Sequence, residues 1–263
     1  AQDGSVAIYK PNSDKTAFSI IEVLSDPVHG IKYGESVAFD KTTSGDGNQF
    51  LVIGSPNKDE GATGDAGGAF FSYGNPSDGV DSFQETALLT SHGDFLGPGA
   101  LSSPGAQVGS SVAMHEGVIV KNTIVGGAPS GKYDGVIQGA ALVYTGYNPN
   151  SVINKPEHWN WATTLTASDG VGGDRFGSSV SMPNSSTIII GSPKQVGIGL
   201  ASVYVFTGAG SSWTQTQKIT YSGALSADYY SYYRNSLAAT QKEIFVAGDP
   251  AAGDTEKVIR YRI

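Results

Sequence analysis

The chain has 263 residues, including 36 Gly and 12 Pro, and only 15% of its residues carry a charge. Many Gly, Ser, Thr, Val, Ile and Tyr residues with few Leu are typical of short strands joined by turns, which excludes a mainly helical protein. The net charge is −8 and the sequence shows no basic patch, so no nucleic-acid partner is predicted. The lack of Cys excludes a disulfide scaffold and a cysteine nucleophile.

The first predicted strands cover residues 4–10 and 17–24. Four repeats follow, and each opens with two short segments of related sequence. The paired segments are 33–38 with 51–56, 108–113 with 124–129, 176–181 with 188–193, and 233–238 with 245–250. The second segment ends in Gly-x-Pro in every repeat. This pattern predicts a tight turn, because Gly permits unusual backbone angles and Pro fixes them.

Each repeat continues with further β-branched and aromatic runs, bounded by turn residues. Third strands are predicted at 69–73, 141–144, 202–206 and 257–261, and fourth strands at 83–90, 159–166 and 213–220. A four-stranded antiparallel unit that recurs at this spacing is typical of a propeller blade. We therefore predict one all-β domain over residues 1–263, with units at about 25–91, 101–167, 168–222 and 223–263.

The run Phe176-Gly177-Ser178-Ser179-Val180, followed by Gly191-Ser192-Pro193, resembles the FG-GAP repeat of integrin α-subunit propellers and of many bacterial and viral surface proteins. The resemblance is strong in the first three units and weaker in the fourth. It implies a β-propeller that presents loops for extracellular binding or adhesion. It also implies a secreted or surface-exposed protein, on a cell or a virion.

The ends of the chain suggest how such a ring closes. The fourth unit has only three predicted strands, so the N-terminal strands at 4–24 are expected to complete the last blade and cover its edge. Both ends offer a third strand, which leaves two alternatives: a four-bladed ring with one five-stranded blade, or part of a larger propeller. We favour the closed ring.

The resemblance also implies Ca²⁺ in an Asp-rich loop between the first two strands of a unit. Only the first unit has such a loop, with Asp40, Asp46 and Asn48 as candidate ligands, and Phe50 stands where the last acidic ligand would fall. An ordinary Asp-Gly turn is the favoured interpretation of this loop. We predict that no cofactor is required, with Ca²⁺ left open as the alternative.

No catalytic group is predicted. Ser111 and Ser179 recur with the repeat, which indicates an architectural role, and His115-Glu116 lacks the second His of a zinc-protease motif. No apolar run approaches the ~18 residues of a membrane-spanning helix, so no transmembrane segment is predicted. These observations favour a non-enzymatic protein.

Aromatic residues supply the candidate ligand-binding positions. Tyr229, Tyr230, Tyr232, Tyr233 and Arg234 lie at the entry to the fourth unit, and Trp159 and Trp161 follow a long insertion. Tyr and Trp offer flat apolar faces with a polar edge, which suits sugar stacking and protein hot spots. Packing between blades is the alternative role for both groups.

Two classes of function therefore remain. The favoured class is a lectin-like or attachment module that binds an extracellular glycan or protein through loops on one rim. The alternative is a polysaccharide-acting enzyme, a lyase or a hydrolase, on a propeller scaffold.

Overall fold

The computed structural model describes eleven stretches of the chain. They are residues 4–25, 30–41, 49–58, 67–74, 83–90, 105–115, 121–147, 159–193, 201–221, 236–248 and 257–262. All regular structure in these stretches is β-strand, which confirms the all-β prediction. None of the described residues belongs to a helix that could cross a bilayer.

The described chain opens with a two-stranded hairpin. Strand β1 is Ser5–Pro11 and β2 is Phe18–Ser25, and they pair antiparallel. One face of the hairpin packs on the first repeat, where Val6, Ile8 and Leu24 lie against Tyr33, Leu51 and Ile53. Tyr9, Phe18, Ile20 and Val23 are exposed.

Each repeat then contains one antiparallel sheet. The first has the order β4 (Ser36–Lys41), β5 (Gln49–Ser55), β7 (Gly68–Gly74) and β8 (Phe83–Thr90). The second has the order β9 (Ser111–His115), β10 (Lys121–Ala128), β13 (Ala140–Tyr147) and β14 (Trp159–Leu165). The third has the order β15 (Ser179–Asn184), β16 (Thr187–Ser192), β17 (Ala201–Ala209) and β18 (Ser212–Tyr221).

The fourth sheet has three strands in the order β19 (Ser236–Ala239), β20 (Glu243–Gly248) and β21 (Lys257–Arg262). Two short pairs complete the list: β3 (Gly30–Ile31) with β6 (Asn57–Lys58), and β11 (Lys132–Tyr133) with β12 (Val136–Ile137). The sequence did not predict these short pairs.

Neighbouring sheets stack face to face. The first strands β4, β9, β15 and β19 contact one another in succession. In β16, Ile188 and Ile190 lie in the core against the second sheet, whereas Ile189 lies in the core against the fourth. Because both faces of such a sheet are buried, its central strands are continuous apolar runs and do not alternate with polar residues.

The described residues form a stack of sheets and show no closed ring. The N-terminal hairpin is a sheet of its own, and β21 is an edge of the three-stranded fourth sheet. In the described residues the hairpin packs on the first sheet and does not pair with the fourth. Closure of a four-bladed ring by the N-terminal strands therefore stays a prediction.

Candidate functional site

The turn that precedes the first strand has the same backbone in the first three repeats. Its glycines have φ near +90°. The residue two positions before each glycine also has a left-handed backbone, although it is not glycine. The glycines are Gly34 (φ +86°), Gly109 (φ +86°) and Gly177 (φ +89°), and the earlier residues are Lys32 (φ +70°), Gln107 (φ +61°) and Arg175 (φ +57°). The strained geometry therefore belongs to the repeat and not to a single unit.

The turns at Gly109 and Gly177 are held by the preceding unit through what we call the clip, a hydrogen bond from a first-strand Ser to the carbonyl of the turn Gly. Ser36 Oγ donates to the Gly109 carbonyl at 2.8 Å, and Ser111 Oγ donates to the Gly177 carbonyl at 2.9 Å. The second-strand glycines Gly54 and Gly127 make room for these carbonyls, because a Cβ at either position would overlap with them.

The clip explains why Ser recurs in this segment, and it places Ser111 in the contact between units. Ser179 occupies the same position in the third repeat. Its Oγ is buried and has no hydrogen-bond partner among the described residues. The corresponding turn of the fourth repeat, residues 233–234, lies outside them.

The turns before the first strands and those between the second and third strands lie at one end of the sheets, because an antiparallel second strand returns to the end where the first began. We call this end the rim. Between the second and third units the rim contains a cleft of about 330 Å³. This rim cleft is lined by Pro129, Ser130, Ile137, Gly172, Gly173 and Arg175.

Backbone hydrogen bonds join the two walls of the rim cleft. The Gly173 N–H donates to the Ile137 carbonyl at 2.8 Å, and the Phe176 N–H donates to the Gln138 carbonyl at 2.9 Å. Within the third unit, Ser192 Oγ donates to the Asp174 carbonyl at 2.8 Å and fixes one wall. The cleft is therefore formed before any ligand arrives, which lowers the entropic cost of binding.

Arg175 supplies the charge of the cleft. Its backbone is fixed, since its carbonyl accepts from both the N–H and the Oγ of Ser178, at 3.1 and 2.7 Å. Its side chain is exposed and makes no ion pair or hydrogen bond to the described residues. In the preceding repeat, the equivalent Gln107 is engaged, because its Oε1 accepts from Ser130 Oγ at 3.1 Å.

Residues 159–206 match the family model of the FG-GAP repeat. This segment is similar to an FG-GAP repeat. The match runs from β14 to the third strand of the third sheet and includes Gly172, Gly173 and Arg175 of the rim cleft. No curated protein matches the chain. The resemblance read from Phe176 to Pro193 is thereby confirmed.

A second polar cluster lies within the matched FG-GAP repeat and the strand that follows it. Tyr204 Oη donates to Asp169 Oδ1 at 3.0 Å, and the Lys218 ammonium pairs with Asp169 Oδ2. The hydrogen bond from Lys218 lowers the pKa of Asp169, and the same bond raises the pKa of Lys218. Burial raises the pKa of Tyr204 to about 12.

This cluster joins the entry turn of the third unit to the outer strands of the same sheet. A tyrosine whose pKa is raised stays protonated at neutral pH, so it donates a hydrogen bond and does not serve as a base. Its contacts therefore indicate an anchor for residues 168–170, beside the rim cleft, and not a catalytic group.

We expect the Tyr204→Phe variant to lose less stability than the parent protein as the pH rises from 10 to 12. A phenol whose pKa is higher in the folded state contributes its full stabilisation of the fold when the pH is below its unfolded pKa of 10.0. That contribution is lost as the pH rises towards the folded pKa of about 12. Melting temperatures across this interval measure the effect, with exposed Tyr9→Phe as the control. Parallel pH profiles for Tyr204→Phe and the parent protein would contradict it.

The structure places two of the predicted ligand-binding aromatics. Trp159 is 4% exposed and lies in the core between the first and second sheets, with its ring against Gly146. Trp161 is half-buried at the same core, and its Nε1 donates to Thr164 Oγ1 at 3.2 Å. These positions agree with the packing alternative, and contact with a ligand stays a prediction. Tyr229, Tyr230, Tyr232, Tyr233 and Arg234 lie outside the described residues.

The predicted calcium loop is described only in part. Asp40 is half-buried in β4, opposite Phe50, whose side chain is fully buried in the core. Asp46 and Asn48 lie outside the described residues. The described stretches hold no group of three or more His, Cys, Asp and Glu side chains suited to a metal ion. Ca²⁺ at this loop stays a prediction.

Sequence reasoning did not identify the rim cleft. It gave Arg175 no role in binding. The available signal was a comparison of aligned turns: the position two residues before the Gly is Lys32, Gln107 and Arg175 in successive repeats. Which of these side chains is engaged depends on contacts between distant parts of the sequence, such as the bond from Ser130 to Gln107, and no local pattern shows these contacts.

Proposed function

We propose that the protein is a non-enzymatic binding module, secreted or displayed on a cell or virion surface, whose rim binds an extracellular glycan or protein. The rim cleft carries the proposal. It is a preformed concave site between two units, and its walls are the turns that the FG-GAP repeat keeps in fixed geometry. Loops held on a rigid scaffold are the usual place for binding residues.

Exposed apolar side chains beside the cleft support this proposal. Val136, Ile137 and Val171 are 40%, 54% and 45% exposed. Val136 and Ile137 belong to the β11–β12 hairpin, which projects between the second and third strands of the second unit. Apolar groups that stay exposed beside a concave polar site are a feature of surfaces that bind a partner.

We further propose that the sheets are propeller blades and that the fourth unit docks on the first. Ser236 and Gly248 occupy the clip positions of the fourth repeat, and Gly34 is the turn glycine of the first repeat. Val37 and Phe39, on the first strand of the first sheet, are 54% and 57% exposed, and such docking would cover them. Ser236→Ala should then lower the melting temperature as much as Ser111→Ala does.

The binding function is tested with arrays of glycans and of extracellular matrix proteins, probed with and without Ca²⁺. The rim variant Ile137→Asp is compared with Ser185→Asp, which places the same charge on an exposed turn at the opposite end of the third sheet. We expect the signals to fall by about tenfold or more in the rim variant, as for a hot spot worth about 1–3 kcal/mol. Ser185→Asp should bind like the parent protein.

Two outcomes would overturn the binding proposal. One is the absence of any signal on either array. The other is an equal loss of signal in both variants, which would separate binding from the rim.

A further inference from the structure

We infer that the rim cleft binds a carboxylate that adjoins an aliphatic group, as in an acidic side chain next to Leu, Ile or Val in a partner protein. This inference rests on the proposed binding function and specifies the chemistry of its ligand. It follows from the charge, the apolar surface, the size and the rigidity of the cleft.

The charge is that of Arg175. A guanidinium presents its donors in a planar fork that matches both oxygens of a carboxylate. In a chain with a net charge of −8, a cation usually finds an acidic partner, yet the Arg175 side chain has none among the described residues. Because Arg175 lines the cleft and its side chain has no partner in the described part of the chain, it favours an anionic ligand group.

The apolar surface lies next to this charge. Ile137 lines the cleft, and its neighbour Val136 is exposed on the same hairpin. Val171, which is 45% exposed, precedes the cleft residues Gly172 and Gly173. A ligand that pairs only with Arg175 would leave these side chains in water, whereas an adjoining aliphatic group would cover them.

The size and lining of the cleft favour a peptide over a sugar chain. A volume of about 330 Å³ lies at the lower end of ligand pockets, which suits one or two side chains. The lining residues include no aromatic ring, and sugar recognition commonly uses a flat aromatic face. A uronate remains the other source of a carboxylate, and the experiment includes it.

The aligned turn of the second repeat provides the matched substitution. Gln107 has the same left-handed backbone as Arg175, with φ +61° against +57°. Arg175→Gln therefore removes the charge and keeps a side chain that this turn accepts. Lys242→Gln is the control, because it removes one positive charge from an exposed turn in the fourth unit, remote in sequence from the cleft.

The test titrates the ¹⁵N-labelled full chain with the peptide Ac-Leu-Glu-Leu-NH₂ and, separately, with Ac-Leu-Gln-Leu-NH₂ and with glucuronate. We expect the Glu peptide to shift the amide signals of Ile137, Gly172 and Gly173. Binding should be at least tenfold weaker for the Gln peptide and for the Arg175→Gln variant, and unchanged in Lys242→Gln. Glucuronate should bind more weakly than the Glu peptide, since it offers no aliphatic side chain.

Three results would overturn the inference: no shifts at millimolar peptide, equal binding of the Glu and Gln peptides, or unchanged binding in Arg175→Gln. Tighter binding of glucuronate would also contradict it, by assigning the cleft to acidic sugars. The arrays keep the two proposals apart. A signal on the arrays that depends on Ile137, without binding of the Glu peptide, would leave the binding function standing and remove only this inference.

Discussion

Gly127→Ala is expected to destabilise the protein far more than the same change at its neighbour, Gly126→Ala. A Cβ at position 127 would overlap with the Gly177 carbonyl oxygen and with Ser111 Oγ, the two atoms that form the clip. A Cβ at position 126 would lie 3.5 Å from Val108 Cγ1, which is ordinary contact. Overpacking costs about 1–3 kcal/mol, and a lost hydrogen bond adds about 1 kcal/mol. Urea unfolding followed by circular dichroism measures both variants.

Ser111→Ala separates the two parts of this effect, because it removes the hydrogen bond and leaves the space for the Gly177 carbonyl. It should cost about 1 kcal/mol, less than Gly127→Ala. Equal stability of the Gly126 and Gly127 variants would show that the units do not approach as closely as the clip requires.

Phe176→Ala is expected to cost about 3–5 kcal/mol of unfolding free energy. The Phe176 ring is fully buried and meets the rings of Tyr204 and Phe206 edge to face, with centroids 5.4 and 6.1 Å away. It lies in the core between the second and third sheets, so its loss leaves a cavity in their contact. Denaturant midpoints measure the cost.

Phe18→Ala serves as the control for Phe176→Ala, since the Phe18 side chain is 65% exposed. The Phe18→Ala variant should lose much less unfolding free energy than the Phe176→Ala variant. A similar loss at both positions would contradict the assignment of Phe176 to the core.

Most strands could be predicted from the sequence because each repeat carries its own boundaries. The Gly-x-Pro turns mark where second strands end, and Phe83–Thr90 was predicted with the same bounds that the structure shows. The β11–β12 hairpin was missed, although Asp134-Gly135 is a good two-residue turn signal and both residues have positive φ. Its two-residue strands are too short to show a periodic pattern.

The candidate site was less predictable because it is formed by residues that lie far apart in the sequence. Lys218 and Asp169 are 49 residues apart, and no local pattern joins them. Arg175 and Gln107 occupy equivalent turns, but only the fold shows that Ser130 reaches Gln107. Trp159 and Trp161 were proposed as ligand contacts from residue type, which does not distinguish an aromatic group in a core from one on a surface.

The clip has a consequence for how such a protein can change in evolution. Each clip joins one unit to the next and uses only groups of those two units, a Ser hydroxyl and a Gly backbone carbonyl, as in Ser36 with Gly109 and Ser111 with Gly177. Duplication of a unit would therefore create a new junction without altering the old ones. Every junction also brings together two turns whose side chains vary from copy to copy. A lineage can thus multiply its clefts by lengthening the array and then diversify each one separately, while the joints that hold the array together stay the same.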